Sequence, residues 1–178
     1  LFLIHYHEVG LKGKNRSRFE NQLLRNIEQA LKGLPRGAVR RITGRILLEL
    51  TPDTPLDIVR ERLSGIFGVA NFSDAVRVPS AIEAIRKAAW AVVQKARFAS
   101  FKIAARRADK TFPMNSNEIN HDVGAHVQAR SQAQVKMEDP DLTCFIELSH
   151  QGTFIYTEKI SGPGGLPVGV KDIFDTAD

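Results

Sequence analysis

Arg106, Arg107 and Lys110 fall within five residues in SFKIAARRADKTFPM, and an amide-and-hydroxyl run, Asn115, Ser116 and Asn117, follows at once. Guanidinium forks and an ammonium beside amides and hydroxyls suit phosphate oxygens and ribose hydroxyls. Lys102 stands four residues upstream of Arg106. The stretch reads as an apolar strand over 101–105 running into a cationic loop with Phe112-Pro113 at its tip. It opens onto a helix capped by Ser116. Helix N-termini present N–H donors to anions, so the combination makes RNA the first partner to consider. Phe112 is read as filling the core below the loop.

A second cationic set lies in GLKGKNRSRF, where Lys12, Lys14, Arg16 and Arg18 occupy seven residues behind Gly10 and Gly13. It leads into a helix but lacks the GxxxxGK[ST] spacing of a nucleotide-binding loop. Phosphate contact and a solvated loop both remain open for it. Arg36, Arg40, Arg41 and Arg45 line a hairpin. Arginines there can track a nucleic-acid backbone, but they also keep an exposed edge strand from pairing, and the second reading is preferred.

Other chemistry-bearing residues are weaker. His5 and His7 alternate along a strand with no third ligand near them, so no metal site is expected. His121 and His126 do not share a helix face, and His150 is a turn residue. Cys144, the single cysteine, sits in the apolar run TCFIEL and reads as a buried small hydrophobe. Trp90 reads as a core or inter-domain anchor. The glycine-rich run 162–169 lacks a following lysine and helix, and reads as a turn or linker. No catalytic set stands at persuasive spacing. No cofactor is expected on this chain.

The bulk properties agree. The net charge is +5, but residues 1–50 carry +6, residues 51–135 carry +4 and residues 136–178 carry −5. A basic body with an acidic tail suits a polyanion, although scattered surface lysines and arginines would give the same total. No run approaches the ~18 apolar residues of a membrane span. One cysteine excludes an internal disulfide and fits a reducing cytoplasm. The absence of an initial Met leads us to expect a few residues before Leu1.

These residues need elements to hold them. Phe2–Val9 reads as a strand, and Phe19, Leu23, Ile27 and Leu31 as the inner face of a helix that Gly33 and Pro35 end. Residues 38–42 and 45–50 form a hairpin around Thr43-Gly44. Thr54 caps a second helix, and 68–78 is a fourth strand. The order β-α-β-β-α-β is ferredoxin-like. Pro79 begins a second α/β unit. It has helices over 80–96 and 116–130, and strands over 101–105, 134–137, 143–149 and 153–157.

HEVGLKGKNRSRFENQL resembles the opening of the tRNA 4-thiouridine sulfurtransferases, a family also tied to thiamine biosynthesis. FKIAARRADKTFPMNSNEINHDVGAHV is similar to the core of that family's THUMP domain, and PDLTCFIEL and YTEKISGPGGLPVG to its later strands and exit. The resemblance covers nearly the whole chain in order. It implies an α+β chain with an N-terminal ferredoxin-like domain (1–78), an α/β THUMP RNA-binding domain (79–165) and a tail or linker (166–178). It further implies tRNA as ligand, with ATP used only by a PP-loop catalytic domain. A cysteine desulfurase or a separate catalytic domain would be further partners. The contacts would be Lys102, Arg106, Arg107, Lys110, Asn115 and Ser116 from the THUMP unit, with Lys12, Lys14, Arg16 and Arg18 from the first. The chain departs from the family pattern in two places. VKDIFDTAD follows GGLPVG where an SGGxDS-type motif is expected, so the chain reads either as part of a longer enzyme or as a stand-alone RNA-binding chain. His5 and His7 stand where an arginine and a glycine are expected. Oligomeric state stays open. A THUMP-bearing RNA methyltransferase and a protein-interaction scaffold are the alternatives, and the GLKGKN opening speaks against the first.

Overall fold

The computed structural model describes residues 1–7 and 13–169. They form two compact units, one of Leu1–Ser73 plus the segment from Lys159 onward, the other of Asp74–Glu158.

In the first unit, β1 (Phe2–His5), α1 (Lys14–Ala30), β2 (Val39–Ile42), β3 (Arg45–Leu48), α2 (Leu56–Leu63) and β4 (Asn71–Asp74) follow one another as the sequence leads one to expect. The four strands stand in the order β4-β1-β3-β2. With two crossing helices this is the ferredoxin-like arrangement. α1 forms because Phe19, Leu23 and Ile27 recur every four residues and are buried on one face. They pack on Phe2, Ile4, Ile46, Leu48 and Phe72 from the sheet and on Val59 and Leu63 from α2. Each such side chain stabilises the fold by roughly 1.5–3 kcal/mol when fully buried. Phe2 and Phe72 meet edge to face, with centroids 5.6 Å apart.

The second unit runs β5 (Val76–Val78), α3 (Ile82–Val93), β6 (Ser100–Arg107), α4 (Ser116–Ser131), β7 (Gln134–Val135), β8 (Leu142–Ser149) and β9 (Gly152–Tyr156). The sheet order is β5-β9-β8-β6-β7. β6 lies parallel to β8 and to the short edge strand β7, whereas β9 is antiparallel to β8 and β5. Ile85, Ala89 and Val93 of α3 and Ile119, Val123 and Val127 of α4 cover Phe101, Ile103, Cys144 and Ile146. Trp90 packs against the same cluster.

Several expectations change. Residues 68–78 are not one strand: β4 and β5 belong to different sheets, and the chain changes sheet at Ala75. A β-rich run shows that it is extended, not which partner each half takes. Thr54 does not cap α2. The helix starts after Pro55, and the Thr54 hydroxyl accepts from the Thr51 N–H at 2.8 Å to close a turn. An additional strand, β10 (Ile160–Ser161), arises just before the glycine-rich run and pairs antiparallel with β4. The chain therefore leaves the first unit after Ser73 and returns to it at Lys159, rather than changing over at 78/79 and 165/166. The strand read over Phe2–Val9 ends at His5, and its Glu8 and Val9 lie outside the described residues, as does the tail beyond Gly169.

α3 and α4 are tied by a bidentate ion pair, Arg86 Nε to Asp122 Oδ1 and Arg86 Nη2 to Asp122 Oδ2, both at 2.5 Å. The Arg86 hydrogen bonds hold the Asp122 carboxyl below its ordinary range, and burial, with help from Arg130 and Arg86, lowers neighbouring His126. The two effects act in one direction. A depressed carboxylate stabilises the fold above its unfolded pKa of about 3.9, and that stability is lost as pH falls through the folded value. A depressed histidine is destabilising wherever the unfolded chain takes up a proton first, below about 6.5. We expect the melting temperature to fall on acidification below that pH. His126→Gln should flatten the upper part of the profile and Asp122→Asn the lower part. Profiles unchanged in both variants would contradict this account.

Candidate nucleic-acid interface

β6 alternates. Phe101, Ile103 and Ala105 pack into the helix-side core, and Arg107 shares their parity. Lys102, Ala104 and Arg106 face the other way. Arg106 and Arg107 are thus the last two residues of a strand, not part of the loop, and they point to opposite faces. Their roles divide accordingly.

Arg107 turns beneath the loop. Its Nη1 donates to the Phe112 carbonyl at 2.9 Å and to the Met114 carbonyl at 3.3 Å. It positions the loop and is not available as a free guanidinium fork. Phe112 is buried beside it in the core, as expected. Arg106 is more than half exposed, opposite Glu147 on β8 in the parallel register, with a loose N···O separation of 3.9 Å. Glu147 Oε2 also accepts from the Tyr156 hydroxyl at 2.6 Å, so the carboxylate is held mainly by the sheet.

The loop over 108–115 is shaped by Asp109. Its Oδ1 accepts from the Thr111 N–H at 3.0 Å and the Thr111 hydroxyl at 2.5 Å, an Asx turn with Lys110 at its centre. The Thr111 hydrogen bonds hold the Asp109 carboxyl below its usual range. His150 Nδ1 approaches the same carboxylate at 3.5 Å. Lys110 is exposed on the turn.

The cap of α4 is Asn115, not Ser116. The Asn115 side chain accepts from the Glu118 N–H at 2.9 Å, and Glu118 Oε1 accepts from the Asn115 N–H at 3.2 Å. This capping box satisfies two of the four N–H groups that a helix start leaves open. Asn115 is therefore structural, and the N–H groups of Ser116 and Asn117 remain for a ligand. Lys102 is half-buried, and its Nζ donates to the Met137 carbonyl at 3.3 Å.

In the first unit, Lys14, Arg16 and Arg18 are exposed over the first turns of α1. Lys12 lies outside the described residues. The hairpin arginines are largely occupied: Arg40 pairs with Glu49 at 2.7 Å, Arg36 bonds the Gly37 carbonyl, and Arg45 the Gly44 carbonyl.

Burial pushes the Cys144 thiol up to about 12, so it stays protonated and is no nucleophile at neutral pH. Among the described residues no group of three or more His, Cys, Asp or Glu stands together. No described helix is long and apolar enough to cross a membrane.

What reading the sequence missed is a cleft of about 140 Å³ between α4 and the β6–β7 edge, lined by Asn117, Asn120, His121, Val135 and Met137 over Phe101 and Ile103. Its walls meet only through the parallel pairing of β6 with β7, which no local pattern announces.

Residues 1–73 match the ThiI ferredoxin-like domain and residues 79–158 the THUMP domain. The chain is 43% identical over 169 residues to the probable tRNA sulfurtransferase of Moorella thermoacetica, an alignment covering 94% of this chain and 43% of that protein. It spans less than half the length of the curated relatives it matches. A solved 4-thiouridine synthetase in complex with RNA and ATP superposes with a TM-score of 0.78 at 34% identity, covering 94% of this chain and 43% of that one. PH1313 from Pyrococcus horikoshii gives 0.86 at 31% identity, covering 96% and 57%.

Proposed function

Because the chain belongs to the family in which a ThiI ferredoxin-like domain is followed by a THUMP domain, we propose that it is the tRNA-binding part of a tRNA sulfurtransferase. It holds tRNA for an ATP-dependent thiolation carried out by a catalytic domain outside this chain, in the cytoplasm. The observation that carries this reading is the end of β6. There the Asx turn presents Lys110 to solvent and Arg106 stands exposed on the strand, and the open N–H groups of Ser116 and Asn117 lie at the start of α4. Such a surface grips phosphate and sugar and reads shape more than sequence. Lys14 and Arg18 supply further exposed cations from the first unit. With Cys144 buried and protonated, the part of the reaction left to these residues is to hold RNA.

The test is binding of the whole chain to unmodified tRNA between about 50 and 200 mM salt, with a tRNA lacking its single-stranded acceptor end and a generic polyanion as controls. Each neutralised phosphate contributes about 0.7–0.9 to the slope of log K against log salt, so four contacts predict a slope near −3. A steep slope with preference for intact tRNA supports the reading. No binding at low salt, or equal affinity for any polyanion, overturns it and favours a protein-docking scaffold.

A further inference from the structure

The loop that carries Lys110 and the tip of the β8–β9 hairpin lie side by side, and one histidine links them. The Ala108 N–H donates to the Leu148 carbonyl at 2.9 Å, so the loop leaves β6 alongside the last residues of β8. Beyond them the hairpin turns on His150 and Gln151, and Ser149 and Gly152 form the last pair of its ladder. The Ser149 hydroxyl donates to the Gly152 carbonyl at 2.9 Å and accepts from the Gln151 N–H at 3.2 Å. The turn is thus held from within, and it presents the His150 side chain from a fixed base. That side chain is 63% exposed and open to protons from solvent, with its Nδ1 3.5 Å from Asp109 Oδ1.

Asp109 is the one acid in the loop over 108–115. Its side chain is only 14% exposed, and its Oδ1 is bonded to the Thr111 N–H and hydroxyl, so it cannot swing away from Lys110. Those hydrogen bonds favour its charged form. A carboxylate fixed beside an ammonium cancels part of the field that the ammonium offers a phosphate. A neutral imidazole leaves that opposition in place, whereas an imidazolium at the carboxylate offsets it. The other charged groups around the tip are Lys110, Arg107 at the end of β6 and Arg77 of β5, whose Cγ would lie 3.2 Å from a Cβ at Gly152. All three are basic. Arg106 and Glu147 face each other one register step back. Asp109 is the acid through which the imidazole acts.

We propose that His150 is a proton-controlled switch on the loop that grips RNA. Protonated, it neutralises Asp109 and leaves the Lys110 charge to phosphate; neutral, it leaves the two opposed. The inference rests on the RNA-binding reading above and adds its regulation by pH. By reciprocity, RNA binding draws a proton onto the imidazole.

The affinity of the whole chain for unmodified tRNA, at one salt concentration between about pH 8 and 6, tests it, because histidine is the side chain that changes charge in that range. Circular dichroism checks the fold at each pH. Wild type should bind about two- to fivefold more tightly at the acid end, the reach of one partly exposed charge pair. His150→Gln should lose the rise. Asp109→Asn keeps an oxygen for Thr111 but removes the charge, so it should bind more tightly than wild type at the alkaline end and show little further rise. His121→Gln, on α4, should keep the rise. Calorimetry in two buffers of different ionisation enthalpy counts the proton directly, and wild type should take up more on binding than His150→Gln. A flat wild-type profile, a rise that survives His150→Gln, or folded Asp109→Asn that binds more weakly than wild type overturns the switch and leaves the RNA-binding reading standing. No tRNA binding at any pH at low salt overturns both.

Discussion

Replacing Arg106 and Lys110 together by glutamine is expected to weaken tRNA binding by about 25- to 60-fold at ~0.1 M salt and to flatten the log–log salt slope by about 1.4–1.8, the share of two phosphate contacts. The fold should not notice. Arg106 sits 3.9 Å from Glu147 and is more than half exposed. Surface pairs of that kind contribute about 0–1 kcal/mol, and Glu147 keeps the Tyr156 hydroxyl. Lys110 is exposed at the centre of a turn that Asp109 and Thr111 close without it. Arg107→Gln is the contrasting control. It strips the Phe112 and Met114 carbonyls of their donor, which should cost about 1–3 kcal/mol and loosen the loop that carries Lys110. Binding then falls together with stability. An unchanged slope in the Arg106/Lys110 variant, with the protein still folded, would remove this surface from the tRNA contact.

Gly162→Val is expected to have the largest effect on stability. A Cβ at this position would lie 2.3 Å from the Val69 carbonyl oxygen and 2.8 Å from Val69 Cγ1, and a backbone atom cannot step aside as a flexible side chain can. The closeness comes from the ladder itself. The Gly162 N–H donates to the Ala70 carbonyl at 3.0 Å, the Gly164 N–H to the Val69 carbonyl at 2.8 Å, and the Gly68 N–H to the Gly164 carbonyl at 2.8 Å. A side chain forces the segment off residues 68–70, which lead into β4. Three hydrogen bonds at about 1 kcal/mol each set the loss at ~3 kcal/mol. Urea unfolding should show the lower midpoint, and limited proteolysis should cut earlier within residues 159–169. Gly165→Ala is the comparison. Its methyl meets no atom within 4 Å, so only the strain of a φ of +71° remains. Equal midpoints for Gly162→Val and wild type would mean that β10 contributes nothing to the first unit.

The elements that could be read in the sequence are those whose partners are local or periodic. Phe19, Leu23 and Ile27 announce α1 by spacing, Thr43-Gly44 announces its hairpin, and Ile119, Val123 and Val127 announce α4. Residue types also located the basic stretch at the end of β6. They did not divide the labour within it. Arg106 and Arg107 are chemically identical and adjacent, and only the strand's parity sends one to solvent and the other beneath the loop. The cap of α4 was within reach, since Glu118 stands three residues after Asn115, the spacing of a capping box. The split of β4 from β5, the pairing of β10 and the cleft at β7 all depend on strands far apart in sequence, and a run of extended residues carries no mark of its neighbour.

The return of the chain to its first unit has a consequence in time. Ser161 pairs with Asn71, ninety residues earlier. A ribosome adding about 5–20 residues per second takes roughly 5–18 s to make that interval, far longer than a helix or hairpin needs to form. Throughout it, the outer edge of β4 has been made and its partner has not. The nascent ferredoxin-like unit therefore emerges with a bare strand edge, open to pairing with a neighbouring chain until the residues around Gly162 arrive to close it.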